Sequence, residues 1–345
     1  MKILIVTNMA PFIWGGAEEL AFNLRKNLVF EGHQCEVLRI PFQWEPIDIV
    51  PSQMLMVKAL ELSNVDHVIA LKFPAYLIDF PKKSLWLIHQ FRQVYDLFET
   101  NRAYYENLPH YKEVRDLVTS ADNDCFSQFN RLYSISEVTR ERLLKFNGLN
   151  ANVLIPPVND PELFLNKGAG GYIFAGGRIN SMKRQHLLIE AMQYADSSVK
   201  LIIAGPVDSI ADGELLKSLV QKLNLSDRVI LDLGFMEKRK YADYINNSNA
   251  VVYIPIDEDS LSYFAMEAAS ASKPIITTTD SGGILGIAKH GLSGWVVEPN
   301  QASIASAMSE AFHSASSQKI YGLTAREMLV DMNLNWPTTI ETLLK

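Results

Sequence analysis

The stretch Ala250 to Gly283 reads AVVYIPIDEDSLSYFAMEAASASKPIITTTDSGG and holds a complete strand, loop, helix, strand unit. Its apolar run from Ala250 to Ile256 is continuous rather than alternating, the pattern of a strand covered on both faces, and it empties into Asp257-Glu258-Asp259. An Ala-rich helix is predicted from Tyr263 to Ser272, and a second strand, Pro274 to Thr278, follows it. Buried parallel strands joined by a helix make the class α/β. Ser260-Leu261-Ser262 offers backbone N–H groups at the helix start, where orphan donors and the macrodipole favour an anion. Asp259 in the loop and Glu267, eight residues later, would accept from hydroxyls beside that anion, a grip suited to a sugar or a ribose. Equally, acids near a helix start complement its dipole without binding anything.

The same rhythm extends in both directions. Strands are predicted at Lys2 to Thr7, Cys35 to Ile40, Val65 to Leu71, Ser84 to Ile88, Arg131 to Ile135 and Asn152 to Ile155. Helices are predicted at Ala17 to Phe30 and Glu137 to Phe146, stopped by Gly32 and Gly148. Strands restart at Gly171 to Ala175, Val199 to Ala204 and Arg228 to Leu231 before the opening stretch is reached. This pattern is two doubly wound, Rossmann-like units in series. Pro156-Pro157-Val158-Asn159-Asp160-Pro161 and Gly168-Ala169-Gly170-Gly171 punctuate them, so the domains are expected at residues 1–160 and 161–318. A polar break at His313 to Gln318 suggests that the helices of 319–345 return to the first domain. In paired open sheets the carboxyl ends of the strands carry the binding loops, here facing each other across a cleft.

Composition narrows the function. A chain of 345 residues with 48% hydrophobic and 21% charged residues is an ordinary globular pair of domains. Net charge is −7, with 16 basic and 19 acidic residues up to Asp160 and 16 and 20 after it, so neither half is a basic module for nucleic acid. Cys35 and Cys125 lack ligand spacing and point to a reducing, cytoplasmic compartment rather than to zinc or disulfides. Met1 to Thr7 is too short for a signal-peptide core, and no run approaches the roughly 20 apolar residues of a membrane span, so membrane association would be peripheral, at the inner face.

Several turns carry candidate chemistry. Gly176-Gly177-Arg178-Ile179-Asn180-Ser181-Met182-Lys183 joins a strand to a helix, and its planar guanidinium and mobile ammonium would clamp a diphosphate leaving group. Solvated cations at a helix start are the plainer alternative. Gly15-Gly16 lets a phosphate or an acceptor approach the first helix, or is simply a turn; G-x-G-x-x-G is absent there. His89 ends an apolar run, with Gln90, Arg92, Gln93, Tyr95 and Asp96 behind it. Its imidazole would donate to a hydroxyl or move a proton, or would be hydrogen-bonded structurally. Asp257-Glu258-Asp259 has the D-x-D shape of a divalent-cation site, but three residues specify little, and Arg178 with Lys183 already supply positive charge. Neither G-x-S-x-G nor a P-loop occurs, which removes the central parts of hydrolase and kinase readings.

Together these segments resemble the retaining glycosyltransferases of family 4, which have the two-domain GT-B fold. The resemblance runs through Gly15-Gly16-Ala17-Glu18, Leu87 to Asp96, Gly177-Arg178 with Lys183-Arg184-Gln185-His186, Leu233-Gly234-Phe235, Asp259 with Glu267-Ala268-Ala269, and Thr279-Asp280-Ser281-Gly282-Gly283. It implies transfer of a sugar from a nucleoside diphosphate sugar to a sugar or lipid-linked glycan acceptor, with retention and without metal or other cofactor. By matching position Arg178 and Lys183 hold the diphosphate, Glu267 the ribose and Asp259 the donor sugar. Main chain near Gly205 and around Phe235 contacts the base, and His89 lies beside the sugar. Acceptor contacts would come from Asn8 to Trp14 and Phe91 to His110. Two departures stand out: Asp259 replaces the usual Glu, and Ser260-Leu261-Ser262 replaces Gly-Phe-Gly, narrowing the approach to the amides. An epimerase or phosphorylase of the same fold, or a binding subunit that has lost turnover, are the competing expectations.

Overall fold

The apolar runs become parallel strands, with His67–Ala70, Ile173–Gly176, Leu201–Gly205, Ala250–Val252 and Ile275–Thr278 buried on both faces, and the helices between them supply the crossovers that parallel pairing requires. In this computed structural model, which describes residues 1–100 and 110–345, the chain divides into Met1–Pro157 with Asn335–Lys345, and Val158–Leu334. Residues 101–109 of the expected acceptor loop Phe91 to His110 lie outside the described residues.

The first unit runs β1 (Lys2–Met9), α1 (Gly16–Phe30), β2 (Gln34–Pro41), α2 (Val50–Lys58), β3 (His67–Ala70), β4 (Lys83–Leu87), α3 (Asp96–Glu99), α4 (Tyr111–Phe126), β5 (Leu132–Ser134), α5 (Glu137–Asn147) and β6 (Asn152–Val153). Its sheet has the order β2-β1-β3-β4-β5-β6, all parallel, and the winding reverses between β1 and β3. The second unit runs β7 (Ile173–Gly176), α6 (Gln185–Ala191), β8 (Leu201–Gly205), α7 (Ile210–Lys222), β9 (Val229–Leu233), α8 (Lys238–Asn247), β10 (Ala250–Val252), α9 (Tyr263–Ser270), β11 (Ile275–Thr278), β12 (Gly294–Val297), α10 (Gln301–His313) and α11 (Ala315–Asp331). Its order is β12-β11-β10-β7-β8-β9, again all parallel. Here the winding reverses between β7 and β10, so the loops after these two strands emerge side by side at the switch point.

The expected return of residues 319–345 to the first domain is corrected to 335. Helix α11 stays with the second unit, where Tyr321 packs edge-on against Trp295 at 5.0 Å between ring centroids. Only α12 (Trp336–Leu344) joins the first unit. Its Ile340 and Leu343 enter the core beside α1, and Trp336 meets Trp86 edge-on. Its last carbonyls, which have no partner within the helix, are capped by side chains of the sheet: Ser84 Oγ donates to Leu343 O at 2.6 Å, Tyr133 OH to Thr342 O at 3.0 Å and an Arg131 nitrogen to Leu344 O at 3.2 Å. With the Ser84 proton on Leu343, His67 Nε2 donates to Ser84 Oγ at 2.9 Å. Burial, Arg131 and Lys82 keep that ring neutral, with its pKa pushed down to about 4.

The first core also encloses a carboxyl group. Asp122 on α4 is fully buried and accepts from Tyr76 OH and Tyr95 OH, each at 2.8 Å. Burial pushes its pKa up to about 7 although both phenols act the other way. The native chain therefore keeps a proton that the unfolded chain releases between about pH 4 and pH 7, and stability falls as pH rises through that window. Asp122→Asn is expected to remove this slope, on the order of 3 kcal/mol between pH 5 and pH 8, read as urea midpoints at those two pH values. An unchanged slope in the variant would show that the carboxyl stays charged.

Candidate functional site

Strands β7 and β10 end beside each other, and the basic and acidic motifs of the second unit are the loops that follow them. After β7 the chain turns at Gly177, and Asn180 caps a short 3-10 turn, Ser181–Lys183, by accepting from Lys183 N at 3.0 Å. The Asn180 amide also donates to Asp208 at 2.7 Å, and Asp208 N donates to Ile179 O at 3.0 Å, so this loop is laced to the one after β8. Arg178 lies beside Asp208, Nε to Oδ1 3.6 Å. Gly205, at φ +147°, closes the other side: a Cβ there would stand 2.1 Å from Gly177 O, so only glycine permits the approach.

Lys183 is paired with Glu258, and its ammonium lies 5.3 Å from the centre of the Tyr253 ring. Tyr253 OH donates to the same Glu258 Oε2 at 3.1 Å. Burial, then the Glu258 charge, push the Tyr253 phenol well above its ordinary range, while Arg178 works in the opposite sense. Tyr253 is thus the point at which Lys183 and Glu258 meet, with Arg178 on the neighbouring loop beside Asp208. Neither Tyr253 nor Glu258 is marked by the motifs: Tyr253 looks like one more member of an apolar run, and Glu258 is hidden inside a D-x-D.

Arg184 turns inward where Lys183 turns out. Only 8% exposed, it donates to Ile254 O at 2.7 Å, Pro255 O at 2.9 Å and Thr278 Oγ1 at 2.8 Å, and forms a two-pronged pair with Asp280 at 2.8 and 2.9 Å. Partial burial alone would raise the Asp280 carboxyl, but Arg184 and Thr278 hold it below the usual range. One side chain therefore ties the loop after β7 to the ends of β10 and β11. Gly282, at φ +72°, completes this junction, because a Cβ would lie 2.5 Å from Glu258 N.

At the mouth of α9 the expected narrowing takes another form. Leu261 is 4% exposed, its side chain packed inward at Gly286, so it does not obstruct the amides. Ser262 adopts φ +69°, a conformation that suits glycine better, and its N–H donates to Ser260 Oγ at 3.2 Å, which occupies one of the amides expected to be offered. Asp259 is partly buried, and Glu267 is buried on α9, where its charge reaches Tyr241, a phenol already pushed up by burial. Phe235 is 77% exposed beside Gly234, whose N–H donates to Gly205 O at 2.9 Å, so the Gly205 and Phe235 loops run together. Among the described residues no group of three or more His, Cys, Asp or Glu could hold a metal ion, Asp257-Glu258-Asp259 included.

In the first unit His89 follows β4, and its Nδ1 meets Gln90 O at 2.6 Å. Burial, with Lys72, Arg92 and Arg142, pushes its pKa well down. A neutral ring that donates from Nδ1 has Nε2 as an acceptor, so toward a hydroxyl it could accept but not donate at that atom. The polar cluster behind it is spent internally: Arg92 grips Asp96 at 2.6 and 2.9 Å, Gln90 donates to Asn147 at 2.9 Å and Tyr95 to Asp122. At α1 the Gly15 N–H donates to Glu18 at 3.0 Å, and Gly16 begins the helix.

Residues 164–328 match the family model described as glycosyl transferases group 1. No curated protein sequence matches the chain. Among solved structures it is similar to a sucrose-phosphate synthase from Thermosynechococcus elongatus, 16% identical over 98% of this chain and 96% of that one, with a TM-score of 0.75. It is similar to Anabaena HepE in complex with UDP-glucose, 14% identical over 99% and 98%, with a TM-score of 0.71. A mutant of S. aureus TarM in complex with Fondaparinux, alpha-GlcNAc-glycerol and UDP is 12% identical over 99% and 98%, with a TM-score of 0.70. At these identities the likeness is one of fold, and that fold is GT-B.

Proposed function

We propose that this chain, which belongs to glycosyl transferases group 1 through residues 164–328, moves a sugar from a nucleoside diphosphate sugar to a glycan, lipid-linked or small-molecule acceptor, with retention and without a metal. The observation that carries this reading is the meeting of Lys183 and Glu258 at Tyr253, where the loops after β7 and β10 come together at the switch point of the second sheet. Arg178 and Lys183 would neutralise the charge that grows on the departing diphosphate, Lys183 exchanging Glu258 for a phosphate oxygen. Glu267 would hold the ribose and Asp259 the sugar, while the Gly205 and Phe235 loops would flank the base. His89 Nε2 would accept from a sugar hydroxyl, and Gly15-Gly16 would allow the substrates close to α1.

Among the described residues no further carboxylate is assigned the role of a nucleophile in this reading, so we favour displacement on one face. The bond from the anomeric carbon to the phosphate oxygen breaks and the bond to the acceptor oxygen forms on the same side. The leaving phosphate takes the acceptor proton. The product's anomeric configuration, read by proton NMR with whichever donor is turned over, tests this: an inverted linkage would remove the mechanism. UDP is the first nucleotide to try, since the TarM structure carries UDP and the HepE structure UDP-glucose.

The Ser260 to Ser262 bond favours a second reading, a binding subunit with impaired turnover, because it withholds an amide from the donor. Ser260→Gly is expected to tighten nucleoside diphosphate binding by about threefold to tenfold, roughly one hydrogen bond to a charged group, as measured by calorimetry. Unchanged affinity would mean that this amide does not face the donor.

A further inference from the structure

The corner of the first unit where β2 ends beside α1 carries an arrangement that the donor site does not use. On β2, Cys35 and Val37 face α1 in the core, and Arg39 is next on that face. Its guanidinium lies 5.7 Å from the ring centre of Trp14 and 6.0 Å from that of Phe22, and the two rings are themselves 4.8 Å apart. The acid sharing this corner is engaged elsewhere: Glu19 accepts from Trp14 Nε1 at 2.6 Å and from Asn23 at 3.1 Å. Among the described residues Arg39 forms no ion pair, and its Nε is buried without a hydrogen-bond partner. A cation stacked on two rings is oriented without being neutralised, and the fork of a guanidinium fits an oxyanion with two oxygens. Its place is the carboxyl edge of a parallel sheet, one strand from the switch point between β1 and β3, where open α/β sheets bind their ligands.

We propose that Arg39, held by Trp14 and Phe22, binds a phosphate or carboxylate of the acceptor, so that the acceptor of this transferase is an anionic molecule. The word acceptor rests on the transferase reading; the anion site rests on Arg39 alone. The same oxyanion chemistry is carried by a free sugar phosphate or uronate and by a lipid-linked phosphate.

The full chain is titrated at low ionic strength with glucose 6-phosphate, glucuronate and glucose, and with phosphatidylcholine vesicles with and without phosphatidate. At least one anionic probe is expected to bind about tenfold or more tighter than its neutral counterpart. Binding of the soluble anions identifies a free acceptor, and binding of the phosphatidate vesicles alone a lipid-linked one. Arg39→Met, which keeps an apolar stem on the rings, is expected to abolish the preference, and Arg39→Lys to retain part of it. UDP affinity, measured on the same samples, should stay within about twofold of the parent in both variants, which separates a failure here from a failure of the donor site. No preference for any anion, or a preference that survives Arg39→Met, would overturn the proposal.

Discussion

Lys183→Ala is expected to lower donor turnover by about a hundredfold or more, close to 3 kcal/mol of lost transition-state stabilisation. Lys183 stands at a helix start, where a cation works against the dipole, so its position is unfavourable for the fold alone. It is kept there by Glu258 and the Tyr253 ring. Without it Glu258 still accepts from Tyr253, and its negative charge no longer has Lys183 beside it where the diphosphate should sit. The loss should therefore appear in nucleotide affinity as well as in kcat, and Lys183→Met/Glu258→Gln should recover part of the affinity but not the rate. Arg178→Ala should fall in the same range. Near-normal turnover by a folded Lys183→Ala protein would remove Lys183 from the donor site.

The largest effect on stability is expected at the neighbouring residue. Arg184→Met would leave the Ile254 and Pro255 carbonyls and the Asp280 carboxylate without their shared donor. Breaking one side of a buried ion pair costs about 3 to 5 kcal/mol, and because Asp280 keeps 39% of its side chain exposed the lower end applies. Arg184→Met/Asp280→Asn should return part of that loss by removing the stranded charge. Lys183→Met/Glu258→Gln, which removes the neighbouring ion pair without stranding a charge, should lower the urea midpoint less than Arg184→Met. Equal midpoints for these two proteins would show that Arg184 is not the tie between three loops.

The contrast between these adjacent residues marks what the sequence could disclose. The buried strands were legible because parallel sheets covered on both faces require unbroken apolar runs, as in β3 and β8, where every residue is buried. The turn at Gly177 and the helix at Tyr263 followed from their glycines and their Ala-rich pattern. Lys183 and Arg184 look alike as letters, however, and only the left-handed turn at Arg184 sends one toward Glu258 and the other toward Asp280. Likewise Leu261, in the place of the family's Phe, packs inward, which no spacing announces. Strand β12, Gly294–Val297 at the sheet edge, is the one strand of the second sheet that the sequence reading does not contain. The return to the first unit at α12 was not legible because it depends on Ser84, Arg131 and Tyr133 meeting a helix end far along the chain.

The most direct measurement of the central claim is calorimetric titration of the full chain and of Lys183→Ala, side by side, with UDP, GDP and ADP. The donor site in the second unit requires that at least one of the three bind the parent chain saturably with one molecule per chain, and that Lys183→Ala weaken that binding by about tenfold or more. Binding of none of them by the parent, or equal binding by both proteins, would contradict it.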